Sequence, residues 1–150
     1  MLRVFLKYWL PIALWTALIF TASGDRQSSQ RSSRIIGPLV RWMFPQMAEE
    51  RVNDIVTGVR KGAHVTEYAI LAWLLWRAFR RPVRRDSRPW SWNVALAAWI
   101  CAVLFATSDE FHQAFVPNRE ASVRDVFIDA TGAALALVAI WAVGRWRKRW

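Results

Sequence analysis

Cysteine is nearly absent from this chain of 150 residues, which contains only Cys101. One cysteine cannot form an internal disulfide, so a disulfide framework is excluded. Because Cys101 lies in the middle of an apolar run, we expect it to be a buried, inert thiol. The chain also lacks a His-Glu-x-x-His sequence, a cysteine pair and a glycine-rich elbow around Ser108. Standard metal and nucleophile motifs are therefore missing.

Acidic residues are also scarce, with 11 Asp and Glu against 21 Lys and Arg, for a net charge of +10. Such an excess is compatible with nucleic-acid binding, but no soluble binding module surrounds the charges. The basic residues instead flank apolar runs, where they act as topology signals and contact anionic lipids. Eleven tryptophans, many of them near the ends of these runs, are typical of interfacial aromatic belts. We therefore expect membrane lipids, and no nucleic acid, as partners.

Four apolar runs dominate the sequence, at about 4–22, 62–79, 90–108 and 123–143. Each is close to the length of helix that crosses about 30 Å of hydrocarbon. The runs lack the alternation of a membrane strand, and only helices or closed barrels span a bilayer. The sequence therefore predicts an all-α integral membrane protein, with residues 1–150 forming one domain built as a four-transmembrane-helix bundle.

Two segments before the second run allow alternative interpretations. The first run resembles a secretory signal peptide, but its cleavage site at 21–24 is weak, which favours a retained helix. Residues 23–60 are expected to form an outer loop, with residues 24–33 irregular. Within this loop, 35–44 is too short to span and is predicted to be a helical segment in the interface. Valine and isoleucine spacing predicts another short amphipathic helix at 49–59.

The distribution of basic residues predicts the orientation. Six arginines lie between residues 77 and 88, and four of the last seven residues are basic. The positive-inside rule therefore places both termini in the cytoplasm of a bacterial inner membrane, with anionic lipids at the cytoplasmic face. Seven basic residues in 23–61 oppose this assignment, but they are spread over 39 positions and offset by four acids. A second copy of the chain is another partner that we consider.

With four membrane crossings and both termini in the cytoplasm, the unusual polar residues of three helices lie at the outer face of the membrane. Their spacing of three or four residues places the side chains of each helix on one side. Because polar groups facing lipid are costly, we expect these stripes to face one another and to be functional. The set consists of Lys61, His64, Glu67, Tyr68, Asp109, Glu110, His112, Gln113, Arg119, Asp125 and Asp129.

Four interpretations of this set remain open. In an enzymatic site, Glu67 and an acid from Asp109 or Asp125 would serve as base and acid. In a binding site, Arg119 would hold an anionic group and the other polar residues would contact a lipid head group. The charges could instead form a structural, ion-paired plug. A metal site including His64 and His112 is the fourth, but no named motif supports it and no cofactor is assigned.

Four short motifs resemble those of the VanZ-like family of small bacterial membrane proteins. They agree in order and spacing over about residues 60–137, and their combination is specific although each alone is weak. This sequence departs from the family pattern at three places: Asn118 replaces a common glycine, Asp129 occupies a place where asparagine is frequent, and the late small position after Gly132 is alanine. Asparagine tolerates a left-handed backbone, so the turn at 117–119 can be retained. The motifs are Lys61-x-x-His64-x-x-Glu67-Tyr68, Ser108-Asp-Glu-Phe-His-Gln113, Pro117-x-Arg119 and Asp125-x-x-x-Asp129-x-x-Gly132.

The resemblance implies a role in the cell envelope at the outer leaflet. The named member of the family is associated with resistance to teicoplanin-type glycopeptide antibiotics. We therefore expect an outward-facing pocket that binds or modifies an outer-leaflet lipid or a glycopeptide-related ligand. A non-enzymatic scaffold or binding protein is the main alternative. A small proton-coupled transporter is the third, and four helices leave little room for its path without oligomerisation.

Overall fold

Helices form almost the whole of the computed structural model, which describes residues 2–24, 28–81, 86, 88–116 and 121–150, without the side chains of residues 24 and 28–33. Helix accounts for 85% of the residues that the structure describes, and these contain no strand. The predicted all-α class is therefore confirmed. In chain order, the elements are α1 Leu2–Val4, a π turn Phe5–Trp9, α2 Leu10–Gly24, α3 Ser28–Met43, α4 Glu49–Arg80, α5 Trp92–Gln113 and α6 Val123–Trp146.

Three helical segments of the described chain are long and apolar enough to cross a membrane. They are Leu2–Ser23, Trp92–Gln113 and Val123–Trp146. These three segments make the chain a multi-pass membrane protein. The fourth predicted span, 62–79, lies within α4 and does not meet the same criterion of length and composition.

The region between the first and second apolar runs is more helical than the sequence predicts. Residues 28–33 belong to α3 and are not irregular, and the predicted helix 49–59 continues without a break into 62–79 as α4. Two glycines, Gly58 and Gly62, lie inside that helix. A single glycine costs a helix only about 1 kcal/mol, which packing can offset, so neither residue ends it. The expectation of irregular structure is therefore wrong for residues 28–33, and the helix predicted at 49–59 does not end at residue 59.

Helix α4 is the centre of the bundle and packs against α2, α5 and α6. Indole groups join the neighbouring helices: Trp15 Nε1 donates to the Glu67 carbonyl at 2.9 Å, and Trp99 Nε1 donates to the Ala130 carbonyl at 3.0 Å. The face of α5 that enters the core consists of alanines, which allow helices to approach closely. These buried residues are Ala95, Ala98, Ala102 and Ala106.

Two helices approach each other closely at Gly132 of α6. A Cβ added there would lie 2.4 Å from the carbonyl oxygen of Val65 and 2.9 Å from its Cα. Because both contacts are to backbone, α4 would have to move to admit a side chain. Gly132 therefore sets the separation of α4 and α6 at the level where both helices contribute polar residues.

Cys101 is exposed rather than buried, so this expectation is wrong. Its neighbours Ala98 and Ala102 occupy the inward face of α5 and are both 0% exposed. Position 101 consequently lies on the outward side of the same helix. Since α5 has the length and composition of a span, this side faces lipid.

The end of the bundle formed by the C-termini of α4 and α6 and the N-terminus of α5 is built around Arg80. Its side chain is 5% exposed and donates to Asp86 Oδ2 at 3.1 Å and to the carbonyls of Pro89 at 3.0 Å and Arg88 at 2.6 Å. The guanidinium also lies 5.2 Å from the ring centroid of Trp150. We call this region the basic end.

We predict that Gly132→Ala separates α4 from α6 and destabilises the protein. Overpacking of this kind typically costs about 1–3 kcal/mol, so the midpoint of thermal unfolding should fall by several degrees. Gly58→Ala is the matched control, because nothing lies within 4 Å of its added Cβ. That variant should be neutral or more stable. Thermal unfolding in detergent, followed by circular dichroism, measures both, and equal midpoints would contradict the close approach.

We predict that Asp86→Asn destabilises the protein near neutral pH. Hydrogen bonds from Arg88, together with the charge of Arg80, hold the pKa of the Asp86 carboxyl below its usual range. A lowered folded-state pKa contributes stability above the unfolded pKa of about 4, and this contribution disappears as pH falls through the folded pKa. The gap in thermal midpoint between wild type and variant should therefore narrow below about pH 4. Asp54→Asn at an exposed position is the control, and a gap that does not change with pH would contradict the argument.

Candidate functional site

The opposite end of the bundle, which we call the acid end, collects polar side chains from four helices. Helix α5 continues past Ser108 to Gln113, so the side chains of Asp109 and Gln113 lie on one face of it. The end of α2 and the first turns of α6 reach the same level as residues 61–68 of α4. We call the buried set here the polar cluster; it consists of Ser23, Tyr68, Asp109, Glu110, Gln113 and Asp129.

Asp109 is the most enclosed acid of the cluster, at 1% exposure. Its Oδ2 accepts hydrogen bonds from the Ser23 hydroxyl at 2.7 Å and from Gln113 Nε2 at 3.1 Å. Its other oxygen, Oδ1, is buried and has no hydrogen-bond partner in the described part of the chain. One carboxylate oxygen therefore joins α2 to α5, and the other is buried without a partner in the described chain.

Glu110 links α5 to the start of α6. The carboxylate accepts from Gln113 Nε2 at 3.1 Å and from the backbone N–H of Ser122 at 2.9 Å. Ser122 is also the N-cap of α6, where its hydroxyl accepts from the backbone N–H of Arg124 at 3.2 Å. Glu110 therefore satisfies one of the free amide groups at this helix N-terminus, where a negative charge is favourable.

Asp129 and Tyr68 occupy the interface between α6 and α4. They are 2% and 0% exposed, respectively, and Asp129 Oδ1 and the Tyr68 hydroxyl have no hydrogen-bond partner in the described chain. Tyr68 lies within electrostatic reach of Asp129, Asp109 and Glu110. The close approach at Gly132, one turn beyond Asp129, brings α4 and α6 together here. Buried polar atoms without partners are unusual in proteins, so each of these two atoms needs a physical explanation.

Two pairs of partly exposed side chains, one acid and one basic residue in each, form the outer rim of the cluster. Lys61 Nζ lies 3.3 Å from Asp125 Oδ1, with side-chain exposures of 37% and 39%. His64 Nδ1 lies 3.4 Å from Glu67 Oε2, with exposures of 30% and 27%. Pairs as open as these stabilise a protein little, so their partners can be exchanged at small cost.

His112 is not part of this arrangement as the structure describes it. The imidazole of His112 stacks on Phe20 of α2, with ring centroids 4.1 Å apart. Arg119 lies outside the described residues. Within the described chain, no group of three or more His, Cys, Asp or Glu side chains has the geometry to hold a metal ion. His64 pairs with Glu67, and the structure therefore does not join the two histidines in one site.

One member of the cluster, Ser23, is not identified by the sequence analysis. It lies at the end of the first apolar run, in a stretch that resembles a weak signal-peptide cleavage site. A serine at the end of a predicted span could have been included as a hydrogen-bond donor for the acids on the same side. Its contact with Asp109 spans 86 positions in sequence, so no local pattern predicts it.

Carboxylates outnumber cations at the acid end of the described chain. Five acids, Glu67, Asp109, Glu110, Asp125 and Asp129, are accompanied by the basic residues Arg60, Lys61 and Arg124 and by His64. Carboxylates in a low dielectric are costly unless they hold a proton or pair with a cation or a hydrogen-bond donor. The arrangement is therefore suited to binding a group that supplies donors or positive charge.

The fold and this cluster define a small multi-pass helical membrane protein with acids buried between its helices. The sequence profile of the VanZ/LLP1 family matches residues 8–144, nearly the whole chain. The chain belongs to this family, and the resemblance noted in its motifs is confirmed. No curated protein and no solved structure matches the chain.

We predict that Ser23→Ala destabilises the protein, because Asp109 Oδ2 loses a buried donor. Loss of one partner of a buried, charged hydrogen bond typically costs about 1–3 kcal/mol. Thr21→Ala is the matched control, since its exposed hydroxyl bonds only to carbonyls of its own helix. Thermal unfolding of the purified protein compares the two, and an effect of Ser23→Ala no larger than the control would contradict the linkage between α2 and α5.

Proposed function

We propose that this VanZ-like cell-envelope protein binds the polar head of an outer-leaflet lipid, or of a glycopeptide-related ligand, at the polar cluster. The observation that supports this proposal most directly is the set of three buried, unpartnered atoms from three helices. They are the Tyr68 hydroxyl, Asp109 Oδ1 and Asp129 Oδ1. A ligand with ammonium or hydroxyl donors would satisfy all three.

The proposal includes a specific membrane topology. Residues 62–79 of α4 would form a fourth span, because about 18 residues extend about 27 Å and the segment packs between apolar spans. Its polar residues face the cluster, which is compatible with crossing the bilayer. The basic end would lie on the cytoplasmic side of a bacterial inner membrane, following the positive-inside rule. The acid end would then face outward, with α3 in the adjacent interface.

The chemistry around the cluster favours an amphipathic ligand. Its acids would bind donors of the polar head, while Phe111 and Phe115 provide an apolar contact. Their rings lie 5.1 Å apart, edge to face, and the residues are 68% and 72% exposed. The half-exposed pairs Lys61–Asp125 and His64–Glu67 would open to admit the head group, with Lys61 released to bind an anionic part.

The enzymatic form of the proposal uses the same residues. Glu67, half-exposed at the rim, would act as the base, and Asp109 or Asp125 would act as the acid. A contribution to teicoplanin-type resistance is the use that family membership suggests, because sequestering or altering a lipid of the envelope would change the target of a glycopeptide.

A structural role of the acids is the second candidate, and one observation favours it. Asp109 accepts one hydrogen bond that connects α2 to α5, and Glu110 accepts one from the N-cap residue of α6. Each also accepts one from Gln113 within α5. If this were their whole role, their removal would affect folding rather than binding. Asp129 discriminates between the candidates, since it makes no such helix-joining bond in the described chain.

We predict that Asp129→Asn removes a co-purified amphipathic ligand while the protein remains folded. Hydrogen bonds to charged groups contribute about 1.5–3 kcal/mol, so ligand occupancy at limiting concentration should fall at least tenfold. Native mass spectrometry of protein extracted from its own membranes measures the occupancy, and circular dichroism reports the fold. Glu50→Gln, an exposed acid on α4, is the control. Equal ligand occupancy in both variants, or unfolding of Asp129→Asn alone, would contradict binding and favour the structural role.

A further inference from the structure

An apolar groove between α5 and α6 and a basic cleft after α6 lie away from the polar cluster. The inference drawn from them is independent of the function proposed for that cluster. We infer that the groove and the cleft bind an anionic phospholipid, with one acyl chain in the apolar groove between α5 and α6 and the phosphate on basic residues that follow α6.

The apolar part is a groove of about 390 Å³ between the two helices. Small residues, Ala95 and Ala134, form its floor, and the indole of Trp99 is held in its wall by the hydrogen bond to the Ala130 carbonyl. Both helices have the length and composition of membrane spans, so the groove opens toward lipid. The complete lining consists of Trp92, Asn93, Ala95, Leu96, Trp99, Ala134, Leu137 and Val138.

The basic part is a cleft of about 570 Å³ lined by Arg145, Lys148, Arg149 and Trp150. A defined turn builds it: Lys148 has φ of 49°, and the backbone N–H of Arg149 donates to the Gly144 carbonyl at 2.9 Å. This arrangement resembles a Schellman turn and folds the chain back along α6. Trp150 then packs on Gly144, where an added Cβ would lie 1.8 Å from the indole.

The three basic side chains of this cleft form no ion pair with an acid in the described chain. The described pairs involve Arg41, Lys61, His64, Arg80 and Arg88 instead. Their charge is therefore available to an external anion. Arginine binds phosphate through two parallel hydrogen bonds, and lysine adds a point charge.

The groove leads to the basic cleft along one face of α6. Val138, Trp141 and Arg145 follow at intervals of three and four residues, so they share that face. The Trp141 ring also lies 5.9 Å from Trp92, a residue of the groove wall. Val138 and Arg145 are about 10 Å apart along the helix, so an acyl chain in the groove would bring its phosphate to the cleft. Tryptophan between the two parts is typical of the boundary between hydrocarbon and head groups.

Charge favours an anionic lipid over the other occupants of such a groove. The ammonium of a zwitterionic head group would be repelled by the cleft. A second copy related by a two-fold axis along the membrane normal would bring two basic clefts to the same depth, and like charges would oppose that contact. A phospholipid with net negative charge satisfies both the groove and the cleft.

The test uses the full chain in detergent and two lipids with the same acyl chains, dioleoyl-phosphatidylglycerol and dioleoyl-phosphatidylcholine. Native mass spectrometry measures how much of each lipid is retained. A triple variant, Arg145→Gln, Lys148→Gln and Arg149→Gln, removes the basic cleft. Its matched control, Arg34→Gln, Arg51→Gln and Arg60→Gln, removes the same charge elsewhere. Ala134→Phe fills the groove without changing charge, and Leu135→Phe at the neighbouring exposed position is its control.

We expect wild type to retain phosphatidylglycerol over phosphatidylcholine. The cleft variant should lose this preference, with a fall in phosphatidylglycerol retention on the order of tenfold or more, while its control keeps it. Ala134→Phe should reduce retention of both lipids, because it blocks the chain, and Leu135→Phe should not. Circular dichroism checks the fold, and Lys148→Gln alone replaces the triple variant if that variant unfolds.

Three results would overturn the inference. The first is an equal loss of preference in the cleft variant and its control, and the second is full retention by Ala134→Phe. The third is a protein dimer that disappears in Ala134→Phe, which would assign the groove to a second copy. Displacement of the lipid by inorganic phosphate at matched concentration would show that the cleft binds a free anion, and the lipid assignment would then also fail.

Discussion

Buried carboxylates between membrane helices are the constraint on which this structure depends. Asp109 and Asp129 are almost fully enclosed, and hydrocarbon offers them no hydrogen bonds. They therefore have to face protein, which turns the polar stripes of α4, α5 and α6 toward one another. Gly132 makes this possible, because only its missing side chain lets the backbone of α4 come close enough. The helix packing and the polar cluster are consequences of the same requirement.

Buried charged groups are paired differently at the two ends of the bundle. At the basic end, Arg80 is enclosed by one acid, two carbonyls and tryptophan rings, so its buried charge is satisfied within the chain. At the acid end, three buried polar atoms are left without partners in the described chain. The basic end of the described chain also has buried atoms without partners, the indole N–H groups of Trp76 and Trp90, but these belong to neutral side chains. At the acid end, two of the three atoms belong to carboxyl groups, which cost more to bury unpaired, and this difference is the physical reason for proposing a ligand there rather than an internal plug.

The sequence predicts the helical class and the meeting of residues 61–68, 109–113 and 125–129, because apolar length and helical spacing are local properties. It predicts four spans, of which three have the length and composition of a span in the structure. It does not predict the contact between Ser23 and Asp109, which joins residues far apart in the chain. The continuity of α4 through Gly58 and Gly62 is also missed, since packing overrides the weak helix propensity of glycine. Cys101 is exposed because of the way α5 is rotated about its own axis. Ala98 and Ala102 determine this rotation, since they pack against the core.

A high-resolution structure of the protein extracted from its own membrane would test the central claim most directly. The account predicts non-protein density from an amphipathic molecule, with its polar head within hydrogen-bond distance of Asp109 Oδ1 and Asp129 Oδ1. Density for ordered water alone at both oxygens, with the helices unchanged, would contradict it. In that case the acids would be structural, and the polar cluster would be an internal network rather than a binding site.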